Sequence, residues 1–201
     1  MVLASHVIFG VYGFWLPNDP RGSWSDFVGS WELFRFGAAT KVETRVSLAH
    51  RPHDRAARRA AREALKFPAV HLTGVQALAV GRGFAASARK GGVTVLACAI
   101  LPEHVHLVVA RHRCKVEWVV NQMKGAATRR LLEEELHPFA AWRRPDGRVP
   151  MCWARKLWKV YLDSEADVAR AVAYVENNPL KEGKPRQEWS FVTRLRRPRV
   201  D

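Results

Sequence analysis

An α+β fold is the class this sequence predicts, and three observations predict it. Runs of β-forming residues occur at 4–13, 93–100 and 103–111. Helical spacing of apolar residues fills the stretch between the first two runs and returns at 116–136. A mixed apolar and cationic strand in 152–163 is followed by one more helix. The order strand, helix pair, strand, strand, helix, strand fits a ferredoxin-like split βαβ sandwich, an antiparallel sheet with helices on one face. The C-terminal helix, which carries Tyr174, is additional to that pattern.

The first strand, ASHVIFGVYG, is followed at 15–40 by a stretch with Pro17, Pro20, Gly22, Gly29 and Gly37 among Trp15, Trp24 and Trp31. Such punctuation predicts a long ordered loop. Residues 52–66 predict an alanine- and arginine-rich helix. Ala57, Ala60, Ala61, Ala64 and Leu65 line one side of it, and Arg55, Arg58, Arg59 and Arg62 line another. That cationic side is either a solvated face or a set of phosphate contacts. Thr73 is placed to cap a second helix that ends at Gly91-Gly92.

The run VTVLACAI reads as a buried strand. Leu101-Pro102-Glu103 makes the turn into the next strand, so the two form an antiparallel hairpin. In 116–136 the residues Val116, Val119, Val120, Met123, Ala127 and Leu131 form a core stripe, with Lys124, Arg129 and Arg130 off it. In CWARKLWKVYLD, Trp153, Trp158 and Tyr161 interleave with Arg155, Lys156 and Lys159. Aromatic planes stack on unpaired bases while cations hold phosphates, but a half-buried strand with snorkelling cations has the same pattern. Ser164 and Asp167 cap the last helix, whose stripe is Val168, Ala171, Val172 and Val175. Pro179 is expected to end it near Asn177 or Asn178. Residues 1–183 thus read as one domain with an insertion at about 15–68, and 184–201 as a basic tail.

A formal net charge of +14 predicts attraction to polyanions, nucleic acid first. No apolar run reaches the ~20 residues that span a bilayer, and no secretory signal is visible. Cys98, Cys114 and Cys152 are odd in number and none are spaced Cys-x-x-Cys. They read as reduced thiols in a cytoplasmic, nucleoid-associated protein with no membrane partner.

The residues that carry chemistry begin at LPEHVHLVVA, 101–110. His104 and His106 alternate on a strand, so both imidazoles project from one face. Two neutral imidazoles ligate a divalent metal if a third donor arrives from elsewhere. Read alone, the pair is equally a solvated strand face or two hydrogen-bonded histidines. The C-terminal helix offers Tyr174, with Arg170 one turn before and Asn178 one turn after.

Together, the His-hydrophobic-His of LPEHVHLVV and Tyr-Val-x-x-Asn-Pro at 174–179 resemble the single-tyrosine HUH transposases. Within them, the REP-associated tyrosine transposases are the nearer likeness. NQMKGAATRRL, 121–131, is similar to that family's Lys-Gly helix. Glu103 and Val175 depart from the usual motifs. The resemblance implies that His104 and His106 hold Mg²⁺ or Mn²⁺, with Asn178 as the third protein ligand or a water-bridged one. It implies that Tyr174 attacks a phosphodiester to give a 5′-phosphotyrosine. The substrate it suggests is single-stranded DNA with palindromic hairpin ends; the candidates for gripping it are the basic first helix, Lys124, the CWARKLWK segment with Trp153, Arg155, Lys156 and Lys159, Arg170 and the basic tail. A monomer is favoured over a homodimer. The alternative is a catalytically silent binder of structured single-stranded DNA or RNA.

Overall fold

The computed structural model describes residues 1–17, 19, 28, 31–39 and 54–194. Four strands form one sheet: β1 (Ala4–Gly10), β2 (Val95–Ile100), β3 (His104–Ala110) and β4 (Trp158–Leu162). Their order is β2-β3-β1-β4, and every neighbouring pair is antiparallel. This is the split βαβ arrangement expected from the sequence. The hairpin strand β3 lies between β2 and β1, which run parallel to each other.

Period-two alternation sorts the strands into two faces. Val7, Phe9, Val105, Leu107 and Val109 point to the main core, covered by α2 (Gly74–Gly91) and α3 (Val116–Glu133). Those two helices meet closely because Gly83 has no side chain. A Cβ there would lie 2.5 Å from the Cα of Ala127. Ala4, Leu96, Ala97, Val108 and Leu162 face the other way, onto α4 (Glu165–Lys181). The predicted α4 stripe is buried there, and each of its valines contributes about 1.5 kcal/mol by burial.

Caps agree with the sequence. The Ser164 hydroxyl accepts from the Asp167 N–H at 3.1 Å, and Thr73 forms a capping box with Gln76. The helix α1 (Arg55–Glu63) is shorter than expected and sits with Leu16 and Leu33 in a separate small cluster. Much of the 15–40 loop lies outside the described residues, as do His50 and His53; its described part includes a short 3₁₀ turn, Trp31–Phe36.

Two expectations are corrected. The helix α4 does not stop at Asn178 but runs through Pro179 to Lys181. Pro179 falls in the last turn, where its missing N–H forfeits a single intrahelical bond. The segment after 184 is not a detached tail as far as Arg194. Trp189, Phe191 and Val192 pack on the main core. Gln187 makes two 2.8 Å bonds to the backbone of Ile100, and the Thr193 N–H donates to the Val95 carbonyl at 2.8 Å. The segment therefore covers the outer edge of β2, which would otherwise present unpaired backbone groups. Residues 195–201 lie outside the described residues.

Candidate active site

His104 and His106 project from the α4 face of β3, as strand alternation requires, with ring centroids 4.9 Å apart. His106 is 3% exposed, and its neighbours are specific. Its Nε2 is 3.2 Å from the Asn178 amide nitrogen, and its Nδ1 is 3.2 Å from His6 Nε2. His6 comes from β1, where it pairs with Val108, so it is the diagonal neighbour of His106 across the two strands. His104 stacks on Phe14 at 4.8 Å, and its Nε2 lies 4.0 Å from Glu182 Oε1. Phe14 can fold back this far because Gly10 leaves room; a Cβ there would lie 2.5 Å from the Phe14 ring.

Tyr174 rises from α4 over this group. Its ring is edge-on to His6 and to His106, each at 5.7 Å, and 40% of the residue is exposed. The Lys181 ammonium sits 4.3 Å from the centre of the Tyr174 ring. Lys181 and Glu182 reach the site only because α4 continues past Pro179. The tyrosine, the amide and the histidines all belong to one chain.

Burial sets the charge of the imidazoles. It lowers the His6 pKa to about 4. The pKa of His106 is also held well below its ordinary value, by burial first and then by the neighbouring His104, His6 and Lys181. Both rings are therefore neutral at pH 7, the state in which an imidazole nitrogen can ligate a metal. Among the described residues no three His, Cys, Asp or Glu side chains converge on one point. The third donor available here is an amide. Its 3.2 Å distance from His106 Nε2 suits two adjacent ligands of an ion bound at ~2.1 Å, which lie about 3 Å apart in octahedral geometry. The amide oxygen and nitrogen can exchange places by a flip, so Asn178 can present either. A donor set of two imidazoles and an amide fits a hard divalent ion with positions left for phosphate.

The residues expected to grip nucleic acid divide into three groups. Arg55, Arg59, Arg155 and Lys156 are exposed and presented to solvent. Arg58, Arg62, Lys159 and Arg170 are engaged, with Asp19 at 3.3 Å, with Glu103 at 2.7 Å, with Glu117 and with Asp167 respectively. Lys124 and Trp153 are corrections. Lys124 is 7% exposed, donates to the Ala154 carbonyl at 2.8 Å and lies over the Phe9 ring. Trp153 is buried and donates to the Thr128 hydroxyl at 3.1 Å. Lys124 points into the main core because it stands four residues after Val120 and three before Ala127, on the buried face of α3, and Trp153 packs there against Phe9 and Phe84.

Sequence reasoning missed His6, Lys181 and Glu182 as site residues. His6 was one histidine in an apolar strand, and only the strand order brings it beside His106. Trp158 is edge-on to His6 at 5.4 Å. Glu103, the departure in the histidine motif, accepts from Arg62 at 2.7 Å and is 3.3 Å from His71 Nε2. It ties the inserted helix α1 to the turn that precedes the histidine strand.

The four-stranded antiparallel sheet carries the histidine pair beneath α4, and the chain matches a known family. The family described as "Transposase IS200 like" matches residues 71–178, which include His104, His106, Tyr174 and Asn178. The chain belongs to the IS200-like transposase family, and a transposase acting on DNA is its functional class. Among solved structures, a REP-associated tyrosine transposase bound to a REP hairpin is similar at 13% identity and a TM-score of 0.48, over 94% of this chain and 74% of that one. A protein of Deinococcus radiodurans R1 described as a candidate transposase is similar at 16% identity and a TM-score of 0.40, over 88% and 91%. No curated protein sequence matches. No helix among the described residues is long and apolar enough to cross a membrane.

Proposed function

We propose that the protein cleaves and rejoins single-stranded DNA at hairpin ends by transesterification, with Tyr174 as nucleophile. The observation that carries this is the Tyr174 ring lying 5.7 Å from the His106 ring within one chain. His104, His106 and Asn178 are the residues that would hold Mg²⁺ or Mn²⁺. Such an ion would polarise the scissile phosphate and offset the charge that develops on it.

The Tyr174 oxygen bonds to phosphorus and loses its proton to a base. The bond from phosphorus to the 3′-oxygen breaks, and that oxygen takes up a proton. The products are a 5′-phosphotyrosine and a free 3′-hydroxyl. A second 3′-hydroxyl then attacks the same phosphorus and releases Tyr174, so ATP is not needed. Lys181 supplies a cation beside the phenol, positioned for a non-bridging phosphate oxygen. Because one chain carries all these groups, a monomer suffices.

The hairpin substrate draws support from the family and from the similar protein that was solved with a REP hairpin. Incubating the protein with single-stranded hairpin DNA and Mn²⁺ should give an SDS-stable adduct that Tyr174→Phe abolishes. A folded wild-type protein that binds such DNA without forming an adduct on any hairpin end would leave the silent binder.

A further inference from the structure

His6 lies outside residues 71–178, so the family match assigns it nothing. It is nonetheless 8% exposed and packed inside the site, with Trp158 and Tyr174 edge-on to its ring. We propose that His6 is a positioning residue. Its Nε2 accepts the Nδ1 proton of His106 and thereby holds His106 in the tautomer whose Nε2 lone pair faces Asn178. This deepens the metal-site reading and rests on it.

The argument is one of proton placement. A ring nitrogen that ligates a metal carries no proton, so the metal-site reading leaves His106 Nε2 bare, facing the Asn178 amide 3.2 Å away. A neutral imidazole has a single N–H, so that of His106 is on Nδ1. The Nδ1 atom is 3.2 Å from His6 Nε2, which must then be the acceptor, leaving the His6 proton on Nδ1. The two rings are nearly parallel, 24° apart with centroids at 5.5 Å, and both are buried, so solvent does not compete for the bond. A ligating histidine usually donates its second nitrogen to a carboxylate or carbonyl, which fixes its orientation and raises its basicity. Here an imidazole from the adjacent strand does so without adding charge.

The test begins with metal-free, DNA-free wild-type protein. Long-range ¹H–¹⁵N NMR of the histidine rings should show His106 protonated at Nδ1. Protonation at Nε2 would overturn the proposal whatever the protein does to DNA. Mn²⁺ titration should then show affinity lowered ~10- to 100-fold in His6→Phe, the range for losing such a partner. His6→Gln, whose side-chain oxygen can accept the same proton, should recover most of it. A folded His6→Phe protein that keeps wild-type Mn²⁺ affinity and the Nδ1 tautomer would reduce His6 to a packing residue. If His6→Phe does not fold, the wild-type tautomer and the His6→Gln titration still decide. Failure to form a DNA adduct would bear on Tyr174 and leave these readouts untouched.

Discussion

The Lys181 ammonium stands 4.3 Å from the centre of the Tyr174 ring, seven residues further along the same helix. Among the described residues no carboxylate pairs with it. A cation held beside a phenol by an aromatic face is ready to meet a phosphate there. Lys181→Met should slow formation of the covalent adduct by ~10²-fold, comparable with losing one donor to a developing oxyanion. Lys181→Arg should recover much of the rate. Single-turnover kinetics with hairpin DNA separate this from weaker binding, and an unchanged rate in Lys181→Met would remove Lys181 from the chemistry.

Asn178 reaches His106 from α4 and is 6% exposed. Asn178→Ala should weaken Mn²⁺ binding at least tenfold, read by calorimetry. Asn178→Asp keeps an oxygen donor and adds a charge, so it should bind Mn²⁺ no more weakly than the native protein.

The arginines of α1 are unequal. Arg58 and Arg62 are tied to Asp19 and Glu103, whereas Arg55 and Arg59 are exposed. If the exposed pair meets phosphates, replacing both by Ala should flatten the plot of log affinity against log salt by ~1.4, since each single-strand phosphate contact contributes about 0.7. Replacing Arg58 and Arg62 instead should change that slope less.

Lys124 allows a pH prediction. Burial lowers its pKa from 10.5 to about 8. Between those values the unfolded chain holds the proton that the folded chain has lost, so this residue makes stability rise with pH across that window. The rise totals about 3 kcal/mol at most. Below pH 8 the cost of burying the charge is fully present. Lys124→Met should therefore lose the alkaline gain relative to wild type, as measured by urea unfolding at pH 7.5 and pH 10.

Gly83 faces the α3 backbone with no room for a methyl group. Gly83→Ala should cost ~1–3 kcal/mol despite the helix preference for Ala, because the two helices must separate. Equilibrium urea denaturation measures it.

Much of the fold was legible because its signals are local and periodic. Val105, Leu107 and Val109 alternate with His104, His106 and Val108, and that pattern alone placed both imidazoles on one face. Ser164 announced the start of α4. What was not legible depended on pairing between distant strands or on tolerance at a helix end. His6 joins the site through β1–β3 pairing across 100 residues of sequence. Lys181 joins because a proline was accommodated in a final turn, where the usual breaker rule costs least. Lys124 reads as a presented cation from its charge, although it stands at helical spacing from Val120 and Ala127 on the buried face. The neighbouring carbonyl of Ala154 and the face of Phe9 made an interior position tolerable.

Tyr174 and Asn178 ride on the same rigid helix, one turn apart. The proposed attacking group and the proposed third donor are thus mechanically yoked. Any swing of α4 that carries a bound DNA end away from the strand histidines must also pull the amide from His106. Release of the cation and displacement of the covalently held strand would be one motion, and a crosslink pinning α4 to β2 should block both together.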